Sequence, residues 1–331
     1  MLTTIKTLSQ LTAPSGWEHS ARTYIQNFAA QLGFSCTVDR LGNLLVQVPG
    51  KNAPKGPILL AAQLDESGFM VEEITKEGLL KFGLMGSIAR RNILGRQVLA
   101  GDGAHRGVVG LRPIHLTTAE ERKKLPKVED LYIDLGFADQ KDTEAQIQPG
   151  ESGVFAEPFR VLGDRILGKA MGRSVSCGVL LKLMEQELPV DVTMAFTVQH
   201  QVGCRGAYGI GAEQRDGVCV VLDLCPAASE REKQPGMGMG PVIPRMDKNA
   251  MFDTQLSNAL ISAAKELPVQ RIARAETAGD GGAIQRSGSG KRVAALYCPV
   301  AYEKAPCQMI DPRDAEQMVS VLAAFLEEAA G

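Results

Sequence analysis

Pro57-Ile58-Leu59-Leu60-Ala61-Ala62-Gln63-Leu64 is a nearly continuous apolar run, followed directly by Asp65-Glu66-Ser67-Gly68-Phe69. A strand with one solvated face alternates apolar and polar side chains. A short run without alternation marks a strand buried on both faces, as in a parallel sheet covered by helices. Upstream, Leu2, Ile5, Leu8 and Leu11 fall at helix spacing, and Ser15-Gly16-Trp17-Glu18 reads as a capping box opening a helix to about Leu32, with Gly33 as its stop. Ser35 to Val48 reads as strands around a turn at Leu41-Gly42-Asn43. Downstream the pattern changes. From about Met70 to Pro158 there are many short, Gly-rich β-like runs and no convincing amphipathic helix.

Helices and buried strands then resume. Helices are expected at about Ser174 to Glu187, Thr254 to Leu267 and Pro312 to Ala330, and strands at Val192 to Val198, Gly217 to Leu222 and Arg292 to Cys298. Strands alternating with helices imply a mostly parallel sheet. The reading is therefore an α/β domain over residues 1–69 and 159–331, interrupted by a small β-rich insert over 70–158.

The 331 residues carry 38 acidic and 36 basic side chains, a net charge of −2. Nucleic acid is a poor candidate for the main partner, because phosphate binding needs a basic footprint. The cluster Arg122-Lys123-Lys124 reads as a solvated face. No run approaches the roughly 18 apolar residues that span a bilayer. Polar residues interrupt the N-terminal segment too often for a secretory signal, so the expected location is the cytoplasm. The seven cysteines include no C-x-x-C pair and are read as reduced thiols, mostly small core residues.

Generic motifs fail. Gly163 to Lys169 has phosphate-loop spacing, but Ala170 stands where a hydroxyl should hold magnesium, and Met171-Gly172 does not open a helix cleanly. Ser287-Gly288-Ser289-Gly290-Lys291 reads as a turn. There is no G-x-S-x-G elbow and no H-E-x-x-H. The informative residues lie where buried strands end, the usual seat of chemistry in α/β folds. Asp65 follows the first such strand, Gln199-His200-Gln201 the second, and Asp223 ends the third. A carboxylate there is costly to bury unless paired or metal-bound. Two capping or salt-bridged aspartates would look the same, and spacing alone does not separate the two readings.

The chain resembles the glutamyl and deblocking aminopeptidases of the tetrahedral-aminopeptidase family, some members of which were once labelled endoglucanase M. Matching segments run nearly end to end: Ala13-Pro14-Ser15-Gly16, Asp65-Glu66-Ser67-Gly68-Phe69, Glu129 to Gly136, Gly168-Lys169-Ala170, Thr197-Val198-Gln199 and Gly240-Pro241-Val242-Ile243. The resemblance implies a zinc-peptidase-like α/β/α domain with a barrel-like insert and assembly with copies of itself, from a dimer to a hollow dodecamer. It also implies two divalent metals (zinc, cobalt or manganese) about 3.5 Å apart that clamp a water, with a glutamate taking its proton.

The chain departs from that pattern at most positions. By resemblance, a ligand histidine falls at Gln63, the aspartate bridging both metals at Gly172, the base and a ligand glutamate at His200 and Gln201, and the last ligand histidine at Lys304. Asp223 keeps its ligand position, and Asp65 matches a residue that orients the missing histidine. Asp280, in a Gly279-Asp280-Gly281-Gly282 turn, is a pocket candidate. The expectation is an aminopeptidase-like protein with a degenerate metal site. It would hold metal weakly or not at all, with Lys304 replacing the metal charge by pairing with Asp223 or Asp65. Such a protein would be silent or repurposed, binding a peptide or small amine. Two alternatives stay open: an active enzyme with a reduced metal site, and a metal-free hydrolase using His200 as base and Lys304 as an electrostatic stabiliser. His200 and Asp65 are the candidate catalytic residues.

Overall fold

The computed structural model describes residues 1–52, 56–213, 217–227 and 235–330. Its centre is an eleven-stranded mixed sheet. The strands that matter for the site are Ile58–Gln63, Val192–Thr197, Val218–Pro226 and Arg292–Ala301. Ile58–Gln63 lies between Val192–Thr197 and Val218–Pro226, parallel to both, and Val218–Pro226 is parallel to Arg292–Ala301. The edges are antiparallel, with the hairpin Ser35–Val38 and Leu44–Val48 on one side and Arg160–Leu162 with Arg165–Gly168 on the other.

The unbroken apolar run has a direct cause. Ile58, Leu60 and Ala62 enter one core with the helices Leu2–Gln10, His19–Gln31, Met171–Met184, Thr254–Ala264 and Pro312–Ala330. Leu59 and Ala61 enter a second core on the opposite face, under Arg205–Glu213 and Gly281–Arg286. Val220 and Leu222 likewise face the first core, and Cys219 and Val221 the second. With a period of two, every position is buried, so no polar alternation survives.

The same parity aims Gln63, Thr197 and Asp223 toward the second face. Thr197 is paired with Gln63 in register, and Asp223 with Tyr297.

Between Ile58–Gln63 and Arg160–Leu162 the chain forms a closed barrel of Gly68–Ile74, Leu80–Met85, Leu131–Asp134, His105–Leu111, Gln97–Ala100 and Ser152–Phe155. Phe69 fills its centre, edge-on to Phe82 at 5.7 Å and to Phe155 at 6.2 Å between ring centroids. Gly153 admits that ring: a Cβ there would stand 2.2 Å from Phe69 Cζ.

Several boundaries differ from the sequence reading. The helix expected from Ser174 begins at Met171, so Met171-Gly172 does open a helix. The preceding segment, Arg160–Leu162 and Arg165–Gly168, is a hairpin rather than a phosphate cradle. The helix expected from the Ser15–Glu18 box starts at His19, and Glu18 makes no side-chain cap. Both residues are drawn into longer-range contacts described below. Five of the seven cysteines are buried, whereas Cys36 and Cys307 are partly exposed. Among the described residues no helix is long and apolar enough to cross a membrane.

Candidate functional site

The ends of Ile58–Gln63, Val192–Thr197 and Val218–Pro226, three of the four parallel strands, open into a cleft that the barrel walls from the other side. Gln63, Asp65, His200, Asp223 and Lys304 line it from the sheet domain, and Ser87 and Phe155 from the barrel. A tight turn after Thr197 carries His200. Its backbone is held in place by acids: Gln199 N–H donates to Glu18 Oε1 at 2.9 Å, His200 N–H to Asp65 Oδ1 at 3.1 Å and Gln201 N–H to Asp65 Oδ2 at 2.9 Å. Ser15 Oγ also donates to Asp65 Oδ2. Two residues of this turn, Gln199 and Cys204, have positive φ without being glycine, at 55° and 54°. Such conformations persist only where surrounding contacts over-determine them.

His200 is the electrostatic centre. Its Nδ1 lies 2.8 Å from Asp280 Oδ1, and its Nε2 lies 3.8 Å from Asp223 Oδ2. Burial alone would lower the imidazole pKa, but Asp280, Cys204 and Asp223 outweigh it and hold the pKa well above 6.5. Asp280 is the complement. Burial works to raise its pKa, yet the imidazolium and the Thr197 hydroxyl bring it below 3.8. Thr197 Oγ1 donates to Asp280 Oδ2. Asp223 differs: burial pushes its pKa up to about 7, against the opposing pull of His200. Burial likewise raises Asp65.

The sequence-predicted residues separate into two groups. Gln63, Asp65, His200, Asp223 and Asp280 converge, and Gly172 faces them: a Cβ on it would lie 2.3 Å from Gln63 Nε2 and 3.7 Å from Asp223 Oδ1. Gln63 Nε2 itself reaches Asp223 Oδ1 at 3.4 Å, leaving Gln63 Oε1 buried without a hydrogen bond. Gln201 lines the same cleft but is tied to Ser67, its Oε1 accepting from Ser67 Oγ at 2.8 Å.

Lys304 does not do what the sequence suggests. It is exposed on the cleft rim, and its ammonium makes no ion pair with Asp223 or Asp65. The cation beside Asp223 is His200. The long lysine stem lets its charge stay in water, whereas the short imidazole is fixed by the turn.

Sequence reasoning missed Ser15, Glu18, Thr197 and Cys204 as participants. It also missed a second buried network under the cleft. Lys169 Nζ bonds both oxygens of Glu66, at 2.6 and 2.7 Å, and Arg173 Nη1 lies 3.3 Å from Glu66 Oε1. Burial lowers the Lys169 pKa to about 8 although Glu66 opposes the shift. This pairing commits the Lys169 ammonium to Glu66.

Residues 42–321 match the family model of the M42 glutamyl aminopeptidases. The chain belongs to that family. It is 26% identical to the lysyl aminopeptidase of Pyrococcus furiosus over 95% of this chain and 93% of the relative. Among solved structures it is similar to the aminopeptidase APDkam598 of Desulfurococcus kamchatkensis, with 28% identity, 98% and 94% of the two chains covered and a TM-score of 0.92. It is also similar to the Pyrococcus horikoshii TET1 peptidase, which can assemble into a tetrahedron or a large octahedral shell, with 27% identity, 98% of each chain and a TM-score of 0.88. The α/β domain with an inserted barrel is thus the M42 fold, as the sequence resemblance implied.

Proposed function

We propose that this M42 protein keeps the fold and self-assembly of its family while its cleft no longer runs two-metal peptide hydrolysis, and that it serves instead to bind a peptide or small amine-bearing ligand. The observation that carries this is the position of His200. Where the resemblance puts a glutamate base, the chain has an imidazolium held between Asp280 and Asp223. The other donors fit a divalent pair no better. Gly172 has no side chain to bridge two ions, and Gln63 fills the space a carboxylate would need and bonds Asp223. Gln201 is committed to Ser67, and Lys304 adds a positive charge at the rim. A zinc, cobalt or manganese pair needs a bridging carboxylate and further anionic or imidazole ligands, and of the ligand positions implied by the resemblance only Asp223 still supplies one.

A second reading has its own support. Asp280 orients His200 through Nδ1, and Nε2 lies 3.8 Å from Asp223 Oδ2 in the cleft lining, so that an imidazole relieved of its proton would be held as a histidine general base is in a metal-free hydrolase. Homo-oligomerisation, dimer or larger, is supported by the assembling TET1 relative and by apolar side chains exposed on the insert, namely Leu94, Val108, Leu116 and Leu125.

The test measures metal content and hydrolysis of aminoacyl-anilides with cobalt, zinc or manganese added. Background rates are expected, since losing a general base costs about 10²–10⁴-fold and losing the metals adds several kcal/mol. Gln63→His, Gly172→Asp, His200→Glu, Gln201→Glu and Lys304→His together should recover metal binding first and turnover second. Chelator-sensitive turnover by the unaltered protein would refute the proposal. Chelator-resistant turnover abolished by His200→Gln would favour the metal-free hydrolase.

A further inference from the structure

We propose that His200, Cys204 and Asp280 form a site for a single thiophilic divalent cation of the zinc class, separate from the metal pair of the family. The ligand atoms of the three side chains all lie within 4.8 Å of one another. His200 Nδ1 is 2.8 Å from Asp280 Oδ1 and 3.7 Å from Cys204 Sγ. Around a tetrahedral zinc, with bonds of about 2.0–2.3 Å, neighbouring ligand atoms stand roughly 3.3–3.7 Å apart. The imidazole–thiol spacing already matches, and the imidazole–carboxylate spacing has to open by about half an ångström.

Outer partners are present for two of the three ligands. A metal-bound imidazole gives its other N–H to a carboxylate, and His200 Nε2 faces Asp223. A ligating carboxylate is itself hydrogen-bonded, and Thr197 Oγ1 donates to the free oxygen of Asp280. Cys204 immediately precedes the helix Arg205–Glu213. Burial pushes its thiol pKa up to about 11, so without metal it stays protonated, and the helix N-terminal dipole works in the direction of the thiolate that a bound cation would complete.

The charges also balance. Loading expels one proton from Nδ1 and one from Sγ into solvent, leaving a neutral imidazole, a thiolate, a carboxylate and a dication. That set is neutral overall, which suits ligands that are nearly buried, Cys204 at 6% and Asp280 at 5% exposure. One sulfur with one nitrogen selects zinc-like ions over magnesium or calcium, which take oxygen. His200 walls the cleft, which gives the ion its route in. The inference rests on the proposed function in one respect: this site uses the residue that stands in the place of the family's base.

The experiment titrates the full-length protein, reduced and chelator-stripped, with cobalt(II). One equivalent should bind, with a near-ultraviolet thiolate-to-cobalt charge-transfer band. Cys204→Ser should abolish the band and weaken zinc binding in chelator competition by about 100-fold, and Asp280→Asn should weaken it comparably. Thr197→Val, which touches no metal, should cost about 10-fold. If Cys204→Ser fails to fold, zinc X-ray absorption of the unaltered protein reads the ligand set directly, with one sulfur and the rest nitrogen or oxygen expected. A band that survives Cys204→Ser, a zinc site without sulfur, or no binding at micromolar metal would overturn the inference, while leaving the silent-peptidase reading intact. Two sulfur-free equivalents with chelator-sensitive anilide hydrolysis would overturn both.

Discussion

Asp280→Asn isolates the electrostatic heart of the site. The amide keeps the shape of the carboxylate and can still accept from His200 Nδ1, so the change removes charge more than contact. In the native protein the imidazolium faces Asp280 at 2.8 Å and Asp223 at 3.8 Å, with the side chains of His200 and Asp280 11% and 7% exposed. Removing one partner of a buried ion pair costs about 3–5 kcal/mol, and Asp223 remains as a weaker second partner, so about 3 kcal/mol is expected. For 331 residues the entropy of unfolding is on the order of 0.7 kcal/mol/K, which converts that loss to a fall of about 4 °C in Tm. The pH dependence fixes the cause. His200 has a raised pKa, so its share is complete below the unfolded value of 6.5 and fades as pH rises through the higher folded value. Asp280 has a lowered pKa, so its share is complete above the unfolded value of 3.8 and is lost only as pH falls through the lower folded value. Both shares are therefore full between 3.8 and 6.5. Chelator-treated wild type and variant are compared by thermal unfolding at pH 6 and again at pH 9 or above, at fixed protein concentration because assembly shifts Tm. The gap should be largest at pH 6 and shrink at alkaline pH, and His200→Gln should add little on the Asp280→Asn background. A deficit under 1 kcal/mol at pH 6, or one equal at both pH values, would show that His200 is not the buried cation.

Three further outcomes follow from the same packing. Gly172→Asp alone should lower the urea midpoint by the equivalent of about 1–3 kcal/mol, because its Cβ lands 2.3 Å from Gln63 Nε2; Gln63→Ala should give part of this back, and a neutral single variant would contradict the crowding. Lys169→Met should cost about 3 kcal/mol by leaving Glu66 to Arg173 alone, and adding Glu66→Gln should reduce the loss; an additive double variant would argue against a coupled network. Gly153→Ala should loosen the barrel by about 1–3 kcal/mol, since the new methyl meets the Phe69 ring at 2.2 Å and Leu99 O at 2.6 Å, with limited proteolysis of residues 68–155 as the readout; unchanged cleavage would count against that packing.

What the sequence discloses and what it conceals divide along one physical line. The run Ile58–Gln63 was legible because burial on both faces suppresses alternation locally, and its two cores account for each residue in turn. The β-rich character of the insert was legible in the same way, from short Gly-rich strands without helical periodicity, whereas its closure into a barrel was implied only by the family resemblance. Ser15 and Glu18 were misread because a capping box is also a local signature. Here the hydroxyl goes instead to Asp65 and the carboxylate to the Gln199 amide, 50 and 181 positions away in the chain. The substitution of cations was hidden for the same reason. Nothing in the spacing says that Asp280 meets His200 across 80 residues, or that Lys304 keeps its charge in water. A sequence lists charges without their partners, and a buried site is defined by its partners. Cys204 was the one missed residue with a local hint, four positions after His200 at the mouth of a helix, but a lone cysteine carries no chemistry until a turn folds it back onto that imidazole.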